Sequence, residues 1–487
     1  MFHELFSKAL DQMGWSQNDI AAQFHINRGT QYKYRNGQLL PPRESFRQIL
    51  NEMKLSAAAR QVLCEAYYQE LYGAEKLARI HYIESAMNRL DEWITMHPQP
   101  LKPLADSIAA PAQEAGSAWL SSQEELAGAV QWVFQQSSPG EAVTNYPYSC
   151  HAIDDVVFRH VVFGSGFRLT HLLTFDKGCA GVHNLENIFR SMRWLARQVN
   201  PICRYAHLHT DSLTPFPCFF ALDGWCLLFH PQRGEGVLLR DEGLFGYLRG
   251  LAERFARGGF PLAVFPQDMF ALQAEVNRAS IHRVEANLSA YPCLAPIADD
   301  AFIRSVIREE VPGWEYLVQL GVEHYSRLMS MTDELYVTTA EGLRRFAQTG
   351  AVREIPGAFV KAAPFAERIR YFHTMMERIP QKKLFILDDM AFTLADKVSI
   401  DFFENIVMIE GYFEGIDSAL QGKENYIVSV VDKELRQDFT DFMEYLQDNC
   451  YFYSEDAAAA YLKSMILLCE QLSAAGRQDA GEACDPQ

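Results

Sequence analysis

The segment Trp15–Pro42 constrains this chain most, because it carries start and stop signals for two short helices only a few residues apart. Ser16 and Asp19 have the Ser-x-x-Asp spacing of an N-terminal capping box. Asn27 is a favourable N-cap for a second helix. Asn36-Gly37 ends that helix with a pair that tolerates the left-handed backbone of helix ends. The segment therefore predicts a helix, a tight turn and a second helix.

Apolar periodicity predicts further helices on both sides of this segment. Residues 2–13 place apolar side chains three and four positions apart, which gives a first helix one apolar stripe. Pro41-Pro42 prevent continuation of the third helix, and a fourth helix is expected from about Glu44. A fifth helix is expected from Ala57. The sequence thus predicts an all-α domain of five helices over residues 1–72.

Residues 2–56 resemble the phage-repressor-like helix-turn-helix domain of the xenobiotic-response-element (XRE) type of transcriptional regulator. The family pattern has Ser-Gln opening helix two, Ala in its middle and Asn-Gly ending helix three. These are present as Ser16-Gln17, Ala21-Ala22 and Asn36-Gly37. Family members usually have Glu before Asn-Gly, whereas this chain has Arg35. That departure bears on the usual local ion pairing and adds a charge near the DNA backbone.

The resemblance implies that helix three enters the major groove and that its N-terminal residues contact base edges. Arg28 and either Gln31 or Tyr32 would read bases, since Arg makes two hydrogen bonds to guanine and Gln makes two to adenine. Asn27 belongs to the same predicted DNA-binding set, and Tyr34 is expected to pack in the core instead. Contacts to phosphate oxygens, which fix register without reading sequence, would come from Gln17, Lys33, Asn36 and Arg43.

Charge is distributed unevenly along the chain. The 487 residues carry a formal net charge of −18, which by itself argues against binding to nucleic acid. Residues 1–60 hold eight basic and five acidic residues, a net charge of +3, so the rest of the chain carries −21. Only the N-terminal part is therefore expected to be attracted to phosphate.

Residues 74–96 are predicted to form a helical dimerisation or connector segment. Their apolar residues are spaced by three and four, as in a short heptad seam: Ile80, Ile83, Met87, Leu90 and Ile94. A dimer helix would let two N-terminal domains span successive major grooves about 34 Å apart. Packing against the chain's own next domain is the alternative. Residues 97–122, rich in Pro, Ala, Ser and Gly, are predicted to be a linker.

Beyond the linker the sequence predicts a large mixed α/β body, because short β-rich runs alternate with helical ones. Candidate strands include Asp155–Phe163, Arg168–Phe175 and Cys218–Leu222, and Glu242–Arg257 is a candidate helix. Together with the all-α N-terminal domain, this body makes the predicted fold class α+β and multidomain.

A weak internal repeat suggests that the body consists of two duplicated lobes. The segment Phe220–Asp223 is echoed by Phe385–Asp388, and an aspartate, Asp241 or Asp432, opens an amphipathic helix after a strand in each half. Chance similarity is the alternative. The predicted division is lobe one at 123–260, a connector at 261–289, lobe two at 290–473 and a disordered tail at 474–487.

The body is also similar to the paired-lobe, phospholipase-D-like effector domains attached to some bacterial regulators. The catalytic signature of that fold is a His, a Lys two residues later and then an Asp, and it is absent from both halves of this chain. The resemblance therefore implies a body without that hydrolytic chemistry.

No motif predicts a catalytic residue, a cofactor or a metal. The segment His207-Leu208-His209-Thr210-Asp211 places two imidazoles and a carboxylate on one side, but structural histidines are the expected interpretation. The ten cysteines have no pairing rhythm and are expected to be reduced core thiols. No signal peptide or membrane-spanning run is recognisable, so a cytoplasmic protein without a membrane partner is predicted.

The sequence therefore predicts a sequence-specific DNA-binding transcriptional regulator that forms a homodimer on double-stranded DNA. Its acidic C-terminal body is predicted to sense a small molecule or a protein effector rather than to act as an enzyme. One alternative is a DNA-localised enzyme or defence effector with unrecognised chemistry in the body. Another is an adaptor whose body docks a second protein.

Overall fold

We describe the chain in a computed structural model. The described residues are 2–482 except for 15, 25, 54, 96–104, 165, 177–180, 207–214, 266–283, 331–334, 356, 358, 391, 397, 413–424 and 449–450. The chain forms two compact units. The first unit contains residues 1–88, 273–407 and 431–487, and the second contains residues 89–272 and 408–430.

Six helices occupy the first 95 residues: α1 Phe2–Gln12, α2 Gln17–Gln23, α3 Arg28–Arg35, α4 Arg43–Glu52, α5 Ala57–Tyr72 and α6 Ala74–Thr95. Helices α1 to α5, which we call the head, correspond to the five predicted helices. Their core is aromatic: the Phe46 ring stacks on Tyr67 with centroids 3.8 Å apart, and Phe2 meets both rings edge-on. The Tyr67 hydroxyl donates to the carbonyl of Pro41 at 2.9 Å, which fixes the loop before α4.

The predicted heptad seam on α6 is buried within the chain. Ile80, Ile83, Met87 and Leu90 have no exposed surface, and Ile94 is also buried. Burial of these side chains removes their apolar area from water without a second copy of the chain. Of the two alternatives for the seam, packing within the chain is therefore the one observed.

The second unit is built on an eight-stranded mixed sheet with helices beside it. Its strands are β1 Ser117–Leu120, β2 Glu141–Thr144, β3 Arg168–Asp176, β4 Ile202–Ala206, β5 Cys218–Leu222, β6 Trp225–His230, β7 Glu235–Arg240 and β8 Phe260–Pro261. Their order in the sheet is β1-β7-β6-β5-β2-β3-β4-β8. The helices of this part are α7 Asp106–Ala115, α8 Gln123–Gln136, α9 His151–Phe158, α10 His183–Leu195 and α11 Glu242–Arg257. Leu248 and Ala252 of α11 pack on the sheet against Val143 and Phe219.

Two further strands of the second unit pair with each other. Strand β9 is Ala263–Val264, and it runs antiparallel to β15, which is Asn425–Val430. The other strands are β10 Val284–Ser289, β11 Leu335–Thr339, β12 Leu384–Leu387, β13 Val398–Phe403 and β14 Ile406–Tyr412.

Strands β10 to β13 belong to the first unit, together with its remaining helices. These are α12 Asp300–Val306, α13 Trp314–Ser330, α14 Ala340–Thr349, α15 Phe365–Arg378, α16 Lys433–Asp448 and α17 Glu455–Glu482. Strand β10 runs parallel to β11 and antiparallel to β13, and β11 runs parallel to β12. The fold is therefore α+β with mixed sheets, as the predicted class requires.

One arrangement of four strands occurs in both units. In the second unit the order is β4-β3-β2-β5, with the first three strands parallel and β5 antiparallel. In the first unit the order is β12-β11-β10-β13, with the same directions and the same sequence of strands along the chain. In this order the counterpart of β5 is β13. The predicted match of Phe220–Asp223 with Phe385–Asp388 is therefore wrong, because Phe385 lies on β12, which corresponds to β4.

Several predicted boundaries are also wrong. The predicted linker at 97–122 contains α7 and β1, and β1 pairs with β7 over four residues. The predicted connector at 261–289 contains β10, a central strand. The predicted disordered tail contains the end of α17, which continues to Glu482. For residues 97–122, an Ala- and Ser-rich composition does not distinguish a linker from a helix, because both residues are as compatible with a helix end as with a loop.

The predicted strand Asp155–Phe163 is helical in the structure. Residues His151–Phe158 form α9, and Arg159–Phe163 continue as one π-helical turn. Buried Ile153, Val156 and Val157 lie one, three and four positions apart, a helical spacing. The β-branched content of the segment was outweighed by this tertiary packing.

The head and α16 meet at one buried carboxylate within the first unit. Asp448 has no exposed surface. It accepts a hydrogen bond from Nε of Arg43 at 3.0 Å and another from Nε of Arg47, and the Tyr68 hydroxyl donates to it as well. The Cys64 thiol donates to its main-chain carbonyl at 3.5 Å. The predicted picture of a head on a linker is therefore wrong, because α4, α5 and α16 are packed together.

We predict that Asp448→Ala lowers the free energy of unfolding of the first unit by about 3 kcal/mol, since it leaves two half-buried guanidinium groups without their carboxylate. Urea unfolding, followed by hydrogen exchange of the α5 amides, measures this value. Asp456→Ala, at an exposed position in the first turn of α17, is the matched control and should stay within about 0.5 kcal/mol of the parent. Equal stabilities of the two variants would contradict the prediction.

Candidate nucleic-acid interface

The helices α2 and α3 are capped by their own side chains. The Ser16 hydroxyl accepts from the amide of Asp19 at 3.2 Å, and the Ser16 amide donates to the Asp19 carboxylate at 2.9 Å, which completes the predicted capping box. The hydrogen bond from the Ser16 side chain lowers the pKa of Asp19. The side chain of Asn27 accepts from the amide of Thr30 at 2.7 Å. Local sequence therefore fixes where both helices begin.

Gly37 sets the end of α3 against α1. Its φ is +67°, a left-handed conformation that glycine adopts without strain. A Cβ at this position would lie 3.0 Å from the His3 ring. Any larger residue at this turn would strain the backbone and would have to displace the His3 ring, so glycine is favoured there.

The outer face of α3 presents charged and aromatic side chains to solvent. Arg28, Lys33 and Asn36 are exposed, and Tyr32 is 63% exposed, an unusual value for a large aromatic residue. The Arg28 guanidinium donates to the side chain of Asn18 on α2. Four of the predicted DNA-contacting residues thus lie on one accessible helical surface, which we call the α3 face.

The other predicted contact residues are placed differently. Gln31 is 2% exposed and lies in the core of the head, so in this conformation it cannot contact a base edge. Between the two predicted alternatives, Tyr32 is therefore the accessible one. Tyr34 is buried, as expected. Asn27 is exposed but serves as the cap of α3, and the side chain of Gln17 lies outside the described residues.

Arg35, the departure from the family pattern, pairs with Asp11 at the end of α1. The Ser7 hydroxyl also donates to the Arg35 carbonyl at 3.3 Å. The Arg35 charge therefore has a partner within the head, between α1 and α3. This ion pair accounts for Arg35 without the expected role near a DNA backbone.

Arg43 was predicted to contact phosphate, but it is held by α16. Its Nη1 lies 2.7 Å from the Glu444 carboxylate, its Nη2 donates to the Glu444 carbonyl at 2.8 Å, and its Nε donates to Asp448. Burial opposes its charge, yet the Asp448 carboxylate keeps the pKa of Arg43 above its ordinary value. In this conformation Arg43 is therefore not available to phosphate.

Three other basic residues share this arrangement. Arg47 pairs with Asp448, Lys76 with Asp441, and Arg79 with Asp438 at 2.9 Å. The acceptors follow one side of α16 at intervals of three and four residues, a surface that we call the acidic face: Asp438, Asp441, Glu444 and Asp448. The sequence contained a signal for it, because four acids recur at this spacing along one amphipathic helix.

A cleft of about 830 Å³ lies beside this contact in the first unit. Glu65 is its central polar group: the His81 ring lies 3.1 Å from its carboxylate, and the Tyr445 hydroxyl donates to it at 3.4 Å. Burial raises the pKa of Glu84, although Tyr451 donates to it at 2.8 Å. The cleft is lined by Glu4, Leu5, Gln61, Val62, Glu65, Ala66, Gln69, His81, Glu84 and Tyr445.

The second unit contains a buried polar cluster. Asp154 accepts from the Tyr146 hydroxyl at 3.1 Å and from the Trp194 indole at 2.8 Å. Burial raises its pKa to about 6, although the Arg193 charge opposes this. The His171 ring is hydrogen-bonded through Nε2 to the Tyr146 carbonyl at 2.8 Å, and burial lowers the pKa of His171 to about 4. All five of these side chains are buried.

The predicted His207–Asp211 segment lies outside the described residues. Among the residues that the structure describes, no group of three or more His, Cys, Asp or Glu side chains is placed to hold a metal ion. The described cysteines form no disulfides, and most are buried, including Cys64 and Cys203. Within the described parts of the chain, no helix is both long and apolar enough to cross a membrane.

Comparisons with known proteins give only weak likenesses. No protein-family model matches the chain, and no curated protein matches it at a significant level. The phosphatidylserine synthase of Haemophilus influenzae Rd KW20 is similar over 83% of this chain and 99% of its own, at 9% identity and a TM-score of 0.27. The archaeal chromatin protein TrmBL2 is similar over 42% of this chain and 71% of its own, at 9% identity and a TM-score of 0.23. The polyphosphate kinase of Porphyromonas gingivalis is similar over 77% of this chain and 60% of its own, at 12% identity and a TM-score of 0.24. Scores this low support no statement about function.

We predict that His171 makes the second unit less stable in mild acid. The folded protein holds this histidine neutral, with its pKa near 4, while the unfolded chain protonates it near 6.5. Stability from this group is therefore present above pH 6.5 and is lost as pH falls towards 4. Asp154 acts in the opposite direction, since its raised pKa means that stability is lost as pH rises from 3.8 through about 6.

His171→Gln separates the two effects, because it retains an amide donor for the Tyr146 carbonyl and leaves Asp154 in place. From pH 7 to pH 5 the stability of this variant should improve relative to the parent by about 2 kcal/mol. Urea unfolding at each pH, followed by hydrogen exchange of β3, measures the difference. The exposed His373, replaced in the same way, is the control. A constant difference between His171→Gln and the parent across this range would refute the assignment.

Proposed function

We propose that this protein is a sequence-specific DNA-binding transcriptional regulator, whose head reads DNA and whose acidic body receives the signal. The observation that carries the proposal is the α3 face. It combines Arg28 in the first turn of a capped helix with Tyr32 and Lys33 about one turn later. A helix with such a surface fits the major groove of B-DNA.

The α3 face supplies chemically distinct contacts. Arg28, at the first turn of α3, has the fork of donors that matches the O6 and N7 acceptors of guanine. Tyr32 lies on the same face one turn later, where its ring can contact a thymine methyl group or a base edge. Lys33 and Asn36 lie towards the end of the helix and are suited to phosphate oxygens. These roles are consistent with the resemblance of residues 2–56 to XRE-type regulators.

Charge supports the same assignment. The first 60 residues carry +3, while the rest of the chain carries −21. Attraction to phosphate is therefore concentrated in the head, and the remainder of the chain is repelled by DNA. A protein with this distribution is oriented by the field of the DNA so that its head approaches first.

The body is proposed to be a duplicated pair of α/β lobes. Support comes from the four-strand arrangement that recurs in the same order and with the same directions. In addition, an aspartate caps the helix that follows in each half: Asp241 accepts from the amide of Leu244 at 2.9 Å, and Asp432 from that of Leu435 at 3.0 Å. The recurring strand order and the shared cap are together more specific than the Leu-Asp echo in the sequence.

The cleft beside the acidic face supports the sensing role. Its wall includes Val62 of α5, His81 of α6 and Tyr445 of α16, so a molecule bound there would contact the head and the body segment at once. Such a molecule would change the affinity for DNA only if it bound one arrangement of these helices better than another. We therefore propose a small molecule in this cleft as the effector. The proposed homodimer must use a surface other than the seam of α6, since the seam is buried.

We predict that Lys33→Ala weakens binding to all duplexes by a similar factor and reduces the slope of log affinity against log salt by about 1, because it removes one phosphate contact. Arg28→Ala should instead cost about 1–3 kcal/mol and relax the preference at one base pair. Selection from random duplexes, followed by fluorescence anisotropy over a salt series, measures both effects.

Two variants control this experiment. Lys463→Ala removes an exposed charge from α17, far along the chain from the head, and should change neither affinity nor slope. Gln31→Ala should lower stability without changing base preference, because Gln31 is buried. The proposal fails if the parent selects no sequence, or if Lys33→Ala and Arg28→Ala behave as Lys463→Ala does.

A further inference from the structure

We propose that the acidic face of α16 competes with DNA for the basic side chains of α4, so that contact with α16 holds the head in a state of lower DNA affinity. This inference rests on the proposed DNA-binding function and adds its regulation. The carboxylates of Glu444 and Asp448 take the positions around Arg43 that phosphate oxygens would otherwise take.

The geometry shows how fully this end of the head is occupied. Arg43 is the first residue of α4, and three of its guanidinium contacts go to α16: the carboxylate and the carbonyl of Glu444, and the carboxylate of Asp448. Arg47, one turn later, also donates to Asp448. A guanidinium engaged in this way has few donors left for a phosphate.

The contact extends along α16 beyond these two residues. Lys76 pairs with Asp441, and Arg79 with Asp438. Four basic side chains of the first 88 residues are thus neutralised by four carboxylates of one helix. DNA that approached Arg43 would therefore also meet the negative charge of this helix, which repels phosphate.

The α3 face remains accessible in this arrangement, since Arg28, Tyr32 and Lys33 are exposed. The head can therefore bind DNA weakly through α3 while α16 is in place. Full binding would require Arg43 to exchange a carboxylate for a phosphate. Because binding couplings are reciprocal, DNA should in turn weaken the contact with α16 by the same factor.

Glu444 is the position at which this competition is best tested. Its side chain is 38% exposed, so removing its charge does not leave a buried group unpaired. Glu444→Gln should tighten DNA binding up to about fivefold, the upper range for one partly exposed ion pair. It should also steepen the salt dependence by up to about 1, since Arg43 gains a phosphate. Glu434→Gln, the same charge change at an exposed position near the start of α16, is the matched control.

A double-mutant cycle tests whether the effect passes through Arg43. In an Arg43→Ala background, Glu444→Gln should no longer change the affinity for DNA, because the side chain for which the two partners compete is absent. These measurements use the full-length protein and the duplex selected with the parent protein.

A measurement on the unmutated protein provides an independent test. Cys64 is buried at this contact, with its thiol donating to the Asp448 carbonyl. Saturating DNA should accelerate alkylation of Cys64 by iodoacetamide about fivefold, read by mass spectrometry of its peptide, while Cys203 in the second unit should be unchanged.

The possible results separate the two proposals. Competition is overturned if the parent binds DNA and Lys33→Ala weakens that binding, but Glu444→Gln matches Glu434→Gln and DNA leaves the alkylation of Cys64 unchanged; DNA binding by the head would then still stand. If the parent binds no DNA, the proposed function itself fails. Tighter binding by Glu444→Gln, lost in the Arg43→Ala background and accompanied by faster alkylation of Cys64, is the expected result.

Discussion

The packing of the head depends on one buried charge. A carboxylate without solvent is costly unless cations and hydroxyl donors surround it, and Asp448 obtains them from Arg43 and Arg47 of α4 and from Tyr68 of α5. These partners all come from the first 70 residues, whereas Asp448 lies near the end of the chain. Burial of this group therefore forces the two ends of the sequence together, and it converts an N-terminal domain that looks independent into part of a larger unit.

This arrangement gives the basic residues of the head two different roles. Arg28 and Lys33 on α3 remain in solvent, where they can meet a ligand, while Arg43 and Arg47 on α4 are neutralised by the acidic face of α16. A count of charges over the first 60 residues treats both sets alike. The difference between exposed and paired charges matters for function, since a phosphate can contact only an accessible basic side chain. The paired side chains become accessible only if α16 moves away from them.

The repeated four-strand arrangement does not follow the alignment that the sequence suggested. The sequence suggested duplication from two Leu-Asp segments, but the strands that carry them, β5 and β12, have different neighbours and directions. The aspartates that cap α11 and the helix after β15 were the better signal. A cap reports a local backbone requirement that recurs with the fold, whereas an apolar strand ending in Asp is common in any sheet.

The sequence by itself determined the parts of this protein that are governed by local chemistry. The capping box at Ser16, the cap at Asn27, the turn at Gly37 and the limits of α11 follow from hydrogen bonds and conformational preferences within a few residues. Only the tertiary structure decided that Gln31 is buried, that Arg43 faces α16, that the seam of α6 lies in the core and that residues 106–120 form a helix and a strand. Each of these depends on a partner far away along the chain, and spacing or composition within one segment contains no record of that partner.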